Sequence, residues 1–167
     1  MAEPFGDELK AGEILFGEAL YREAADVVIG LAQRELLIFD QDLSKGDYAG
    51  SKRFEQLQAF LGRDPQNRLT MVLQDTGHFM RHCPRIYGLL KTYGHAMTVY
   101  ETNDQAKVAK DMFIIADKQH YLRRFHVDQP RFRYASDDPE TVNMLCLRFD
   151  ELLDATTHAV ATGSLGL

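Results

Sequence analysis

The chain reads as an α/β domain, with a mostly parallel sheet flanked by helices on both faces. Three observations predict it: short apolar runs without alternation, amphipathic segments of helical length between them, and polar residues where each run ends. The runs LLIF (36–39) and LTMVL (69–73) are apolar at consecutive positions, which suits strands covered on both faces. Their C-terminal neighbours are Asp40 and Asp42, then Gln74 and Asp75. Ligands of open α/β sheets gather at such carboxyl ends.

The elements follow in order. After a polar lead-in over residues 1–13, Ile14, Leu15 and Phe16 predict a short strand. Ala19, Leu20, Ala24, Val27, Val28, Leu31 and Ala32 recur at helical spacing, with Glu18 and Glu23 near the start, where the helix dipole favours acids. The LLIF strand leads into a loop over 41–51, rich in Asp, Ser and Gly. Phe54, Leu57, Phe60 and Leu61 then mark one face of a second helix that ends near Gly62. After LTMVL, a third helix starts beyond Cys83 with Pro84 in its first turn and Ile86, Leu89 and Leu90 facing inward; Gly94 stops it. A strand over 97–100 ends at Glu101. A hairpin of 113–116 and 121–125 turns across 117–120, and a terminal helix covers 139–157 with Val142, Leu145, Cys146, Phe149, Leu152 and Leu153 on its apolar face. With no internal repeat, low-complexity tract or linker, residues 1–167 are expected to form a single domain.

Composition narrows the function classes. A hydrophobic content of 45% and a charged content of 26% describe a globular chain, and a net charge of −6 argues against a surface that coats nucleic acid or anionic membrane throughout. The charge is uneven. Residues 107–134 carry seven Lys/Arg against three Asp/Glu, about +4, leaving about −10 for the remainder. Cys83 and Cys146 show no CxxC spacing and read as free thiols in a reducing compartment. No apolar run approaches the roughly 20 residues that span a bilayer, and the first residues lack the order of a secretory signal, so a cytoplasmic location and no membrane partner are expected. No glycine-rich phosphate loop is present, and no cofactor is expected. His78, His82 and Cys83 share helical spacing but lack a third or fourth ligand at metal-binding spacing, so no metal is expected.

The segment KVAKDMFIIADKQHYLRRFHVDQPRFRY (107–134) resembles the motif hairpin of the phospholipase D-like superfamily. REAADVVIGLAQRELLIFD, NRLTMVLQD and RFDELLDAT resemble other parts of one half of that fold, and the similarity runs over residues 14–157. The family motif is His-x-Lys-x-x-x-x-Asp. Asp117 fills its last position, whereas Lys110 and Met112 stand where the His and Lys belong. The resemblance implies that the missing His would be the nucleophile, the missing Lys would bind phosphate, and two motifs would meet about a twofold axis. Neither task passes to Met112, and a solvated lysine, with a pKa of about 10.4, stays protonated at neutral pH. The Gly-Ser-x-Asn segment common beyond the motif is replaced by Arg124, Phe125 and His126. The resemblance thus implies a single-half, degenerate relative without phospholipase D-type hydrolysis, and no catalytic residue is assigned.

Two polar groups remain as candidate anion sites. Asp117, His120, Arg123, Arg124 and His126, with Arg131 and Arg133 beyond, form a basic hairpin whose arginines suit bidentate phosphate contact. Arg123 and Arg124 point to opposite faces, so one pocket receives only one of them. A solvated strand end pairing with carboxylates elsewhere explains the same residues. Asp40 and Arg53, with Asp42, Ser44 and Tyr48, form the second group, which either shapes a site with Asp117 or caps and salt-bridges a loop.

Three functions follow as expectations. The first is a non-catalytic phospholipase D-like domain, acting as a homodimer, that binds an anion such as phosphate or nucleic acid or serves a regulatory role. The second is an enzyme of altered chemistry on a phosphate ester or phosphodiester, working through His120 and Asp117. The third is an interaction module partnering an acetyltransferase, as domains resembling this one do.

Overall fold

The computed structural model describes residues 8–161. In chain order these form β1 (Leu15–Phe16), α1 (Glu18–Leu31), β2 (Glu35–Asp40), α2 (Ser51–Arg63), β3 (Arg68–Leu73), α3 (Gly77–His82), α4 (Pro84–Thr92), β4 (Met97–Thr102), β5 (Met112–Ala116), β6 (His120–His126), β7 (Gln129–Ala135), α5 (Pro139–Asp154) and β8 (Thr156–Ala159). All eight strands share one sheet in the order β1-β7-β6-β5-β2-β3-β4-β8.

The class is α/β with helices on both faces. The crossover helices make β2, β3 and β4 parallel to one another, while the tightly connected strands β5, β6 and β7 pair antiparallel with their neighbours, as do β1 and β8 at the edges. The sheet is therefore mixed, with its parallel part confined to β2, β3 and β4. One face packs Leu36, Ile38, Met71, Val99, Ile114 and Leu122 under α1, α2 and α4. The other packs Leu37, Phe39, Val72, Phe113, Ile115 and Tyr121 under α5. This two-sided covering explains why the central runs show no polar alternation.

Three elements lack a strong sequence signal. The β7 segment QPRFRYA carries Pro130 next to an irregularity in its pairing with β6, where the missing N–H is tolerated. The β8 segment TTHA is a largely exposed edge strand, and it shortens the terminal helix to Asp154 from the 157 expected. Helix α3 is one and a half turns long and buries only Phe79. Of the expected lead-in, residues 1–7 lie outside the described residues. The rest is anchored: Leu9 packs against the core, and Gly12 N–H donates to Tyr134 O at 2.8 Å.

Among the described residues no helix is long and apolar enough to cross a membrane. Both cysteines are free thiols, Cys83 buried and Cys146 half-buried.

Candidate functional site at the carboxyl pole of the sheet

Parallel β2, β3 and β4 all end at one pole, bringing Asp40, Gln74 and Glu101 together there. Because β5 runs antiparallel to β2, its start arrives at the same pole and its end at the opposite one. The first motif positions, Lys110 and Met112, therefore border the carboxyl ends. Asp117 lies beside Glu35, about 17 Å along the strand.

The pole holds an open cleft of about 440 Å³ lined by Gln41, Gln74, Asp75, Glu101, Lys107 and Lys110. Its wall is the 103–111 segment, held down by the Gln74 amide, which donates to Ala106 O at 3.1 Å and Ala109 O at 2.7 Å. Lys107 Nζ donates to Gln74 O at 2.6 Å and Thr102 O at 3.0 Å, and lies 3.6 Å from Glu101 Oε2. Burial acts upward on the Glu101 pKa, but hydrogen bonds from Thr76 and the charge of Lys107 hold it below the ordinary carboxylate range. Lys107 is thus fully engaged. Lys110 is the exposed cation of the cleft.

Beneath the cleft, Met112 is buried between two polar groups. Its cross-strand partner on β6 is Arg124, and Asp40 follows Phe39, whose partner is Phe113. Arg124 is fully buried. It makes a two-pronged ion pair with Glu18, both contacts at 2.8 Å, stacks 4.9 Å from the Tyr21 ring, and donates to Val127 O at 2.9 Å and His126 O at 3.2 Å. The Arg124 hydrogen bond holds the Glu18 carboxyl below its usual range. Asp40 accepts from Asp42 N–H at 3.1 Å and Leu43 N–H at 2.9 Å, yet burial pushes its carboxyl up to about 7. Burial likewise pushes the nearby Cys83 thiol up to about 11. The Tyr48 hydroxyl is buried with no partner among the described residues.

On the opposite face Arg123 Nε lies 3.4 Å from Asp111 Oδ2, and Arg148 of α5 binds the same oxygen while stacking over Phe39 and Phe113. The two hairpin arginines are thus split between the faces, as β alternation requires, and each has its own carboxylate.

The structure does not gather the seven candidate residues into one site. Asp117 and His120 sit at the pole opposite Asp40. Both central turn residues, Asp117 and Lys118, adopt positive φ, a geometry that Asp tolerates through local hydrogen bonding. The Asp117 carboxylate accepts the N–H groups of Gln33, Arg34 and Glu35 at 2.8–2.9 Å, which fastens the turn to the start of β2. His120 Nδ1 is 2.7 Å from Ser136 Oγ. His126 Nδ1 accepts from Asp128 N–H at 3.1 Å. Arg53, also buried, clamps the 41–50 loop between α1 and α2 through Asp26, Gln56 and Gly46 O. It is a structural cation. Nothing in the sequence marked Glu18, Asp111 and Arg148 as ion-pair partners of the hairpin, because those partners lie 106, 12 and 37 residues away.

His78 and His82 stack with ring centroids 4.8 Å apart. Among the described residues no group of three or more His, Cys, Asp or Glu is placed to hold a metal ion.

Residues 18–161 match the family described as "Domain of unknown function (DUF7931)". The chain belongs to this family. No curated protein matches the sequence. Among solved structures it is similar to Nuc from Salmonella typhimurium, a phospholipase D family member, at 11% identity and a TM-score of 0.64, over 90% of this chain and 99% of that one. NucT from Helicobacter pylori is similar at 12% identity and 0.61, over 87% and 96%. TrmBL2, an archaeal chromatin protein whose structure is described as showing a novel mode of DNA binding, is similar at 11% and 0.65, over 86% of this chain. This chain spans about half of TrmBL2's length, 52%. The fold is phospholipase D-like.

Proposed function

We propose that this protein is a phospholipase D-like domain that binds a phosphate-bearing partner at its carboxyl pole without hydrolysing it. The observation that carries the reading is the fate of the motif. The nucleophile position holds Lys110, an exposed side chain in place of the histidine that the family's attack requires, and the phosphate-binding position holds Met112, 1% exposed and packed in the core. A lysine at the cleft rim attracts a phosphate as a point charge. The description of TrmBL2 as DNA-binding supports nucleic acid as the partner class.

Altered chemistry through His120 and Asp117 has less support, since the Asp117 oxygens are occupied by backbone N–H groups and both residues stand away from the cleft. A homodimer is part of the proposal. Val108 and Leu147, 75% and 67% exposed, flank Asp111 and Arg148 near this pole and give a second copy an apolar surface.

The test pairs hydrolysis with binding. Purified protein is expected to leave bis(p-nitrophenyl) phosphate and DNA intact while binding a fluorescent oligonucleotide, with weaker binding by Lys110→Ala. Turnover that Lys110→Ala or Asp117→Ala abolishes would sink the reading. A light-scattering mass of one chain at micromolar concentration would sink the dimer.

A further inference from the structure

Between Asp75 and Glu101 the sequence runs 25 residues without a single carboxylate, in a chain of net charge −6. The stretch carries Arg81, Arg85 and Lys91 together with His78, His82 and His95. It folds as α3, α4 and the start of β4. Phe79 and Tyr87 meet edge to face at 5.6 Å and fix the angle between the two helices, while Phe79, Cys83, Ile86, Leu89 and Leu90 are buried.

With its apolar residues turned inward, α4 presents Arg85, Gly88 and Lys91 on its outer face, three residues apart each time. Arg81 is exposed on α3 beside them in sequence. Among the described residues none of these three cations has a carboxylate within ion-pair distance. The acid flanking the stretch, Asp75, accepts from Gly77 N–H at 2.7 Å, on the turn that Arg81 leans over.

Gly88 is the second observation. Glycine disfavours a helix interior, yet a Cβ there would meet nothing within 4 Å, so packing does not demand it. A helix midpoint bare of side chain, bracketed by two cations, lets an anionic backbone approach closely.

We infer that the outer face of α3 and α4 is a docking surface for the phosphate backbone of nucleic acid, with Arg81, Arg85 and Lys91 as the phosphate contacts. The inference rests on the proposed binding role and adds a surface separate from the Lys110 cleft. Arg85 and Lys91 are about 9 Å apart along the helix axis, a length over which one strand of a duplex presents two to three phosphates. A lipid surface fits less well, because Met80, 41% exposed, is the one large apolar side chain these helices leave in solvent and membrane-surface helices bury an apolar face.

The experiment is fluorescence anisotropy with a 20-base-pair DNA duplex across a salt series, on wild type, on the triple reversal Arg81→Glu, Arg85→Glu, Lys91→Glu, and on Lys110→Ala. The three surface contacts contribute about −2.7 to the log–log salt slope, which the triple reversal removes together with at least tenfold of the affinity at low salt, whereas Lys110→Ala lowers the slope's magnitude by about 0.9. Matching circular dichroism melts show that the exposed substitutions leave the fold intact. Binding by wild type that the triple reversal leaves unchanged and Lys110→Ala removes would overturn the surface and leave the cleft reading standing. Binding of phosphatidylserine vesicles but not DNA, lost in the triple reversal, would overturn it in favour of a membrane. No DNA binding at any salt concentration would overturn both.

Discussion

Along the β5–β6 hairpin both arginines meet carboxylates: the buried Arg124 meets Glu18, 106 residues away, and the part-exposed Arg123 meets Asp111 at the foot of β5. Along α3 and α4, Arg81, Arg85 and Lys91 stand in solvent with no such partner among the described residues. Both segments are rich in positive charge, and they use it in opposite ways. A cation taken out of water must be neutralised and hydrogen-bonded or the fold loses several kcal/mol, so the hairpin arginines are committed to structure. A solvated cation costs little to keep and contributes to the surface field that a phosphate partner meets.

Removing a committed charge is the most severe way to test this contrast. Arg124→Ala leaves a cavity and two carbonyls, His126 O and Val127 O, without their donor, while the part-exposed Glu18 falls back on water. It is expected to cost about 3–5 kcal/mol by denaturant titration. In the wild type the pairing depresses the Glu18 pKa, so its stabilisation is present above the ordinary glutamate pKa of about 4.3 and is lost as pH falls below it.

Asp40, one row from Arg124 on the same face, should behave in the reverse sense. Its folded pKa of about 7 lies above the unfolded value, so the folded state holds the extra proton and stability falls as pH rises from about 4 to 7. Asp40→Asn keeps the oxygen that accepts from Leu43 and removes the charge. Melting curves should show it stabilised at pH 8, by at most about 4 kcal/mol, with the gain vanishing near pH 4; a gain independent of pH would break the assignment.

A smaller loss is expected at the turn. Asp117→Ala frees three backbone N–H groups at the start of β2 and asks alanine to hold a positive φ. It should cost about 1–3 kcal/mol and speed amide exchange at Gln33, Arg34 and Glu35. Smallest of all, Arg85→Ala should change stability by less than about 0.5 kcal/mol. A loss near that of Arg124→Ala would show that α4 also commits its charge to the fold.

The central strands and most helices were legible because two-sided burial and helical periodicity leave direct marks: LLIF, LTMVL and FIIA read as buried strands, and Ile86, Leu89 and Leu90 read as an inward helix face. β7 and β8 were not legible, since an irregular strand holding Pro130 and an exposed edge strand carry no apolar signature. The candidate residues were individually sensible but spatially scattered. Asp117 looked like an active-site acid because it ends the motif, and it serves as a backbone anchor because β5 carries it away from the pole where the motif begins.

By itself the sequence determined the α/β class, the phospholipase D-like resemblance and the loss of the motif His and Lys, all of which are properties of residue type and local order. Only the tertiary structure decided which charges are available. A side chain's protonation and freedom depend on partners that the sheet brings together from as far as 106 residues away, and local patterning holds no record of those distances. It therefore took the fold to show that Arg123 and Arg124 are paired with carboxylates, while among the described residues Arg81, Arg85 and Lys91 of α3 and α4 stand in solvent without one.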